Sequence, residues 1–225
     1  MKKFLLISIA VILLIAVCVP FVPPIYNSYT KPLLKNYVDN KEWYGKVDPE
    51  NLEQVRDYCE RRGYNTEHYI LVDFSIPSGK KRFFIYDLHS GHKVMSSYCM
   101  HGSGKGNTDA KPKFSNDFGS GCSSLGRYVM TGKGRKFKNS IRLRGLDHSN
   151  YLAEMRGILI HSAGKVTRFH GEKEYIPIGT ESRGCFTVSR DCVSKVMEIY
   201  GNSSKKRPVM LFAKYGEQAN TTSTD

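Results

Sequence analysis

Short apolar segments in which every second residue is apolar recur between residues 69 and 215, and turn residues separate them. The clearest segment is Tyr69–Ile76. Its apolar face consists of Ile70, Val72, Phe74 and Ile76. A period of two places alternate side chains on opposite sides of an extended chain, so this segment predicts a strand with one buried face. A Pro-Ser-Gly turn then leads into Arg82–Leu88, and the pair predicts a β-hairpin.

The remaining periodic segments predict many strands and few helices. Further strands are expected at residues 92–99, 127–130, 140–143, 158–160, 185–188 and 209–215. Helical spacing occurs in Asp48–Gly63 with Asp48 as its cap, in a short segment that begins at Ser149 or Asn150, and in Arg190–Tyr200 with Gly201 as its end. The expected fold class is therefore mainly β, with a few peripheral helices.

The N-terminus carries a basic start and then an uncharged apolar run. Lys2 and Lys3 precede the run at residues 4–19, and prolines follow it. This order predicts a secretory signal peptide or an N-terminal signal anchor in residues 1–22. The run is shorter than the about 20 residues of a typical membrane span, and no Ala-x-Ala cleavage site follows it, so cleavage and anchoring both stay open. The protein is expected to be exported to the periplasm or cell envelope, with residues 4–22 as its anchor if they are retained.

Composition divides the rest of the chain into three segments. Residues 23–46 are rich in Pro, Asn and Tyr and are expected to form a linker or extension. Residues 47–215 are expected to form the folded domain, and residues 216–225 a polar tail.

The charge of the chain limits its partners. The formal net charge is +13, which favours an anionic partner. Export argues against nucleic acid, and no aromatic stacking platform or zinc motif supports it.

Six cysteines are present, and Cys185 differs from the others in its surroundings. It follows Ser182-Arg183-Gly184, and a glycine next to the sulfur lets backbone N–H groups approach closely, as an oxyanion hole requires. A thiol is only weakly ionised at neutral pH and needs a base to act as a nucleophile. In an exported protein, a disulfide could also form between two of the other cysteines. Four cysteines allow three sets of pairs, and the sequence selects none of them: Cys59, Cys99, Cys122 and Cys192.

His161 is the best candidate for that base among seven histidines. It alone ends an apolar strand, Ile158-Leu159-Ile160, and a strand end holds a side chain rigidly. Taken singly, His161 could be a structural histidine at a strand end and Cys185 a buried thiol. Their occurrence together favours a catalytic pair.

The order of these residues resembles the catalytic signature of the murein L,D-transpeptidase (YkuD-like) family. The matching elements are His161-Ser162-Ala163 and, later, Ser182-x-Gly184-Cys185. Upstream, the segment that contains Ser124, Gly126 and Tyr128 resembles the family's Thr-Pro-x-Gly-x-Phe/Tyr segment. His101-Gly102, followed by a Gly-rich loop, resembles the murein branch of the family. The resemblance covers roughly residues 70–215.

The resemblance implies a β-sandwich or barrel-like catalytic domain and a thioacyl-enzyme mechanism. Cys185 would attack a carbonyl of a peptidoglycan stem peptide, and His161 would take the thiol proton and return it to the leaving amine. The carbonyl of Ser162 would orient the imidazole. Backbone N–H groups of Arg183, Gly184 and Cys185 would stabilise the oxyanion. An amine of a neighbouring stem would then form the crosslink.

The resemblance also implies the substrate contacts. These are His101, Gly102, Ser124, Gly126, Tyr128, Ser182 and Thr187. Two positions depart from the family pattern, because Arg183 replaces a histidine and Thr187 replaces an asparagine. Arg183 either binds a substrate carboxylate or lies in solvent. Neither Cys-x-x-Cys nor His-Glu-x-x-His spacing occurs, so no metal and no cofactor are expected.

Two alternatives remain open from the sequence. Water could resolve the same acyl-enzyme, which would make the protein an L,D-carboxypeptidase or amidase. The scaffold could also bind the cell wall without catalysis, and then Cys185→Ala would leave every activity intact. In each case the expected partners are peptidoglycan stem peptides and the cell wall.

Overall fold

A computed structural model describes residues 43–135, 137, 139–203 and 206–216. The expected signal or anchor at 1–22, residues 23–42 of the expected linker and residues 217–225 of the tail lie outside the described residues. In the described part, no helix has the length and apolar character needed to cross a membrane. Residues 43–46 of the expected linker pack on the domain, because the Trp43 ring is buried at 4.8 Å from Tyr58 and 5.3 Å from Phe212.

Within the described residues, eight strands form one sheet. They are β1 His68–Asp73, β2 Phe83–Asp87, β3 Lys93–Ser97, β4 Gly126–Lys133, β5 Ser140–Gly145, β6 Leu159–Ser162, β7 Phe186–Val188 and β8 Met210–Lys214. Their order is β3-β2-β1-β8-β4-β5-β6-β7, and the β1–β8 and β6–β7 pairs are parallel. An antiparallel bridge joins Met100, just after β3, to Thr187 in β7. The two edges of the sheet therefore meet in a nearly closed barrel, and the expected mainly β class is confirmed.

Three helices accompany the sheet in the part of the chain that the structure describes. They are α1 Leu52–Arg62, α2 Gly164–Thr167 and α3 Arg190–Asn202. The cap of α1 is Asn51 and not Asp48, since the Asn51 side chain accepts from the N–H of Gln54 at 3.1 Å. The expected end of α3 at Gly201 is wrong, because the helix continues through Gly201 to Asn202.

The helix expected from Ser149 or Asn150 is also wrong. This segment forms turns instead. The Asn150 side chain accepts from the N–H of Asp147 at 2.9 Å and donates to the carbonyl of Arg127 at 2.8 Å. An asparagine that bonds to neighbouring backbone groups in this way stabilises a turn at the expense of a helix.

The two faces of the sheet pack into different apolar clusters. The inner face contributes Ile70, Val72 and Phe74, and α3 adds Val193 and Val196 to the same cluster. This confirms the expected shared face of Ile70, Val72 and Phe74, although β1 ends at Asp73 and both Phe74 and Ile76 lie beyond it. The outer face is covered by α1 over part of its width, in a cluster of Trp43, Val55, Tyr58, Tyr69, Leu71, Met210 and Phe212.

Candidate active site

Cys185 lies immediately before β7 as a partly exposed free thiol. Gly184, which precedes it, has a φ of 107°, and a Cβ at this position would lie 2.5 Å from the carbonyl oxygen of Cys122. Only glycine fits this backbone conformation and this close approach. The hydroxyl of Ser182 donates to the carbonyl of Cys185 at 2.8 Å. The turn that presents the sulfur is therefore fixed by backbone contacts on both sides.

His161 is a buried residue of β6, and its hydrogen bonds define its tautomer. Nδ1 lies 3.1 Å from the carbonyl oxygen of Ser162, so Nδ1 carries the proton. Nε2 lies 3.3 Å from the hydroxyl of Thr187, which donates to it. Nε2 is therefore the atom that can act as a base. The ring of Phe137 stacks on the imidazole, with centroids 5.1 Å apart and planes at 15°.

The parallel pairing of β6 and β7 relates Cys185 to His161. Ile160 pairs with Phe186, and His161 pairs with Thr187. Because side chains alternate along a strand, Cys185 and His161 lie on the same outer face, two positions apart in register. Within the described residues no hydrogen bond joins the sulfur to the imidazole, since Sγ is directed to the carbonyl of Gly157 at 3.9 Å. Proton transfer thus requires a side-chain rotation, and such contacts often tighten only when substrate binds.

Burial places both groups of this pair in their neutral forms. Burial raises the pKa of the Cys185 thiol, while the N–H of Leu159 and the charge of Arg156 act to lower it. Burial also lowers the pKa of His161, and its bond to the carbonyl of Ser162 acts in the opposite direction. A protonated thiol therefore lies near a neutral imidazole at neutral pH, which is the starting state for general-base activation.

Arg156 joins the Gly-rich loop to the segment before β6. Its guanidinium donates to the carbonyl of Cys122 at 2.6 Å, the carbonyl of Ser115 at 2.8 Å and the hydroxyl of Ser120 at 3.2 Å. The carbonyl of Cys122 is the same atom against which Gly184 packs. Arg156 therefore supports the turn before the sulfur, and its positive charge also lowers the pKa of the thiol. The sequence analysis missed this residue.

His101 and Gly102 hold the start of the Gly-rich loop. Nδ1 of His101 accepts from Arg82 at 3.1 Å, and Nε2 donates to the carbonyl of Thr108 at 3.0 Å. Burial and the charge of Arg82 lower the pKa of His101 to about 4, so the ring is neutral. A Cβ on Gly102 would lie 2.2 Å from the carbonyl oxygen of Gly121. With both ring nitrogens bonded inside the protein, His101 positions the loop, and its expected contact with substrate stays a prediction.

Ser124, Gly126 and Tyr128 are buried as well. The Tyr128 hydroxyl donates to the carbonyl of Ser124 at 2.7 Å, and its ring meets Phe186 edge-on at 5.3 Å. A Cβ on Gly126 would lie 2.6 Å from a carboxylate oxygen of Asp147. These residues support β7 from the interior. In this structure they pack inside the domain, and their expected contact with substrate stays a prediction.

The profile of the L,D-transpeptidase catalytic domain family (YkuD_2) matches residues 45–206. This match covers more than two thirds of the chain. The chain belongs to the L,D-transpeptidase family. The resemblance and the barrel-like fold are thereby confirmed, and the family connects the protein to peptidoglycan. A comparison with curated proteins gives no match.

The remaining expected site residues of this L,D-transpeptidase domain surround the thiol. Arg183 is exposed, and Ser182 is buried with its carbonyl accepting from the N–H and hydroxyl of Ser103, both at 2.9 Å. Thr187 occupies the position of the family's asparagine and donates to the base. Each of the five described cysteines is a free thiol: Cys59, Cys99, Cys122, Cys185 and Cys192.

Proposed function

We propose that this protein is an exported cysteine acyltransferase that forms or remodels peptidoglycan crosslinks by an L,D-transpeptidase-type reaction. The observation that carries the proposal is the parallel pairing of β6 and β7, which puts a free thiol and a neutral imidazole on one face of the sheet. The family match supports the peptidoglycan substrate. Export is proposed from the basic start and apolar run in residues 1–22.

In the proposed reaction, Nε2 of His161 takes the thiol proton as Sγ of Cys185 attacks a carbonyl of the stem peptide. The developing oxyanion accepts from backbone N–H groups of the turn at Arg183–Cys185, each worth about 3 kcal/mol in such sites. The C–N bond breaks, the leaving amine takes the proton from His161, and a thioester remains. An acceptor amine then attacks the thioester, forms the new amide and regenerates the thiol.

A carbapenem tests the nucleophile directly. Its strained cyclic amide should acylate Cys185 of the full chain, and the intact mass should rise by one carbapenem per chain. Cys185→Ala should show no adduct. Cys59→Ala removes a buried thiol from the cluster under α1 and should still form it. A folded wild-type protein that forms no adduct would overturn the proposal.

Defined muropeptides test the outcome of the reaction. Incubation with a disaccharide tetrapeptide should yield crosslinked dimers if an amine resolves the thioester. Shortened monomers without dimers would instead identify a carboxypeptidase. If the wild type forms neither product and Cys185→Ala binds the cell wall as well as the wild type does, the non-catalytic wall-binding alternative would be favoured.

A further inference from the structure

Arg183 is an exposed arginine two residues before the candidate nucleophile. Among the residues that the structure describes, its guanidinium has neither an ion pair nor a hydrogen bond. The acidic residue nearest to it in the sequence, Glu181, is already paired with Lys165 at 3.5 Å. A guanidinium keeps its charge at any physiological pH. Arg183 is therefore a permanent cation that is available to an anionic group of the substrate.

The backbone on both sides of Arg183 is fixed, although its side chain is exposed. The carbonyl of Ser182 accepts from the N–H and the hydroxyl of Ser103, both at 2.9 Å, and the Ser182 hydroxyl donates to the carbonyl of Cys185 at 2.8 Å. Gly184 packs so closely that a Cβ there would lie 2.5 Å from a carbonyl oxygen of the neighbouring loop. The base of the arginine side chain is thus held in one place relative to the nucleophile. Such preorganisation lowers the entropic cost of binding a ligand.

Chain geometry limits which substrate group Arg183 can reach. Two peptide units separate its Cα from that of Cys185, so the two Cα atoms are at most about 7.6 Å apart. A carboxylate that ends a peptide one residue after the attacked carbonyl lies at most about 3.6 Å beyond that carbonyl. The arginine and this carboxylate are therefore both within one residue or two of the reacting atoms. One more residue in the peptide moves the carboxylate about 3.6 Å farther away.

We propose that Arg183 determines donor specificity by binding the C-terminal carboxylate of the stem, one residue after the carbonyl that Cys185 attacks. The inference rests on the proposed function, because that reaction brings the end of a stem peptide to the thiol. The guanidinium offers two parallel N–H groups to the two carboxylate oxygens. A tetrapeptide attacked at its third residue presents its carboxylate at this distance. A pentapeptide attacked at the same residue, or a C-terminal amide, does not.

Calorimetric titration tests this assignment, at low ionic strength because salt screens an exposed charge. The full chain carrying Cys185→Ala is titrated with four ligands: a disaccharide tetrapeptide, the same fragment amidated only at its C-terminus, the same fragment amidated only at a side-chain carboxylate, and the disaccharide pentapeptide. We expect the tetrapeptide acid to bind about tenfold more tightly than the C-terminal amide and the pentapeptide. Arg183→Gln in this background should abolish the preference. Arg183→Lys should retain part of it, because lysine keeps the charge without the bidentate geometry.

Arg61→Gln is the matched control, since Arg61 is an exposed arginine of α1 and the variant loses the same charge. It should preserve the preference for the free acid, and thermal unfolding of each variant verifies that it is folded. Equal binding of acid and C-terminal amide, a preference that survives in Arg183→Gln, or an equal loss in Arg61→Gln would overturn the inference. A loss of affinity only on side-chain amidation would assign a different carboxylate and also overturn it. These titrations need no thiol, so they can fail while the carbapenem adduct forms, and the reverse also holds.

Discussion

At Cys185, burial and a nearby positive charge act in opposite directions on the thiol. Burial raises its pKa, and Arg156 counteracts part of this rise. At three other thiols burial dominates and raises the pKa to about 12, although Arg82 counteracts part of the rise at Cys99 and Lys81 at Cys192: Cys59, Cys99 and Cys192. A neutral alkylating reagent should therefore modify Cys185 before these buried thiols.

Arg156→Gln should move the alkylation profile of Cys185 to higher pH. The positive charge favours the thiolate, so its removal raises the thiol pKa and lowers the thiolate fraction at any fixed pH. Iodoacetamide rates measured by intact mass between pH 6 and about 10.5, around the usual thiol value of about 8.5, give the inflection. Arg61→Gln should leave it in place. An unshifted inflection in Arg156→Gln would mean that the charge does not reach the sulfur.

The candidate catalytic pair could be predicted from the sequence, whereas the residues that position and surround this pair could not. Cys185 follows a glycine and His161 ends an apolar strand, and both are local signals. Arg156 carries no such signal, because it is one of 34 basic residues and acts on a distant loop. The burial of His101 depends on Arg82, which reaches it only in the folded chain. Local patterns thus indicate the reacting groups, and tertiary contacts determine their environment.

At the level of secondary-structure elements, the loop of the β4–β5 hairpin lies over the imidazole of His161, the proposed general base. Phe137, in the loop between these strands, stacks on the imidazole of His161. The position of this hairpin therefore affects the hydration of the base.

Phe137→Ala should raise the pKa of His161 toward its ordinary value of about 6.5. Burial lowers this pKa, and loss of the stacked ring lets water reach the imidazole. The protonated form then persists to higher pH, and an NMR titration of the ring proton measures the shift. Phe118→Ala removes an exposed aromatic ring and serves as the control. A His161 pKa that is the same in wild type and Phe137→Ala would contradict this account.

The sequence predicted strands and helices correctly where the apolar pattern extended over many residues. The prediction failed where side-chain hydrogen bonds to the backbone determined the local structure. The alternation in Tyr69–Ile76 and the spacing in Arg190–Tyr200 correspond to β1 and α3. The segment after Ser149 has apolar residues at helical spacing, but the Asn150 side chain bonds to the backbone of nearby Asp147 and of distant Arg127 and fixes a turn. Gly201 does not end α3, since glycine weakens a helix without excluding it.

For the whole molecule, a buried ion pair joins the sheet to the N-terminal segment. Arg127 of β4 and Asp147 are both buried, with Nη2 and Oδ1 2.5 Å apart. Arg127 also donates to the hydroxyl of Tyr58 in α1, and the Tyr44 hydroxyl donates to Asp147 at 2.7 Å. Because these partners come from four separate segments, the network holds the outer cluster against the sheet.

Asp147→Ala should lower the free energy of unfolding by about 3–5 kcal/mol, because it leaves the Arg127 charge buried without its counter-ion. Urea denaturation followed by circular dichroism measures the change. Glu60→Ala breaks the exposed pair with Arg207 and should cost less than about 1 kcal/mol. Equal losses in the two variants would show that burial does not determine the contribution of these pairs.

The parallel pairing of β1 with β8 joins Tyr69 to Met210, near opposite ends of the domain. In the sheet, β1 lies between β2 and β8, so it pairs only with β2 until β8 has been synthesised. Contacts so distant in sequence form late and slowly, since a long loop must close first. The growing polypeptide on the ribosome therefore cannot complete its barrel until synthesis reaches the last strand.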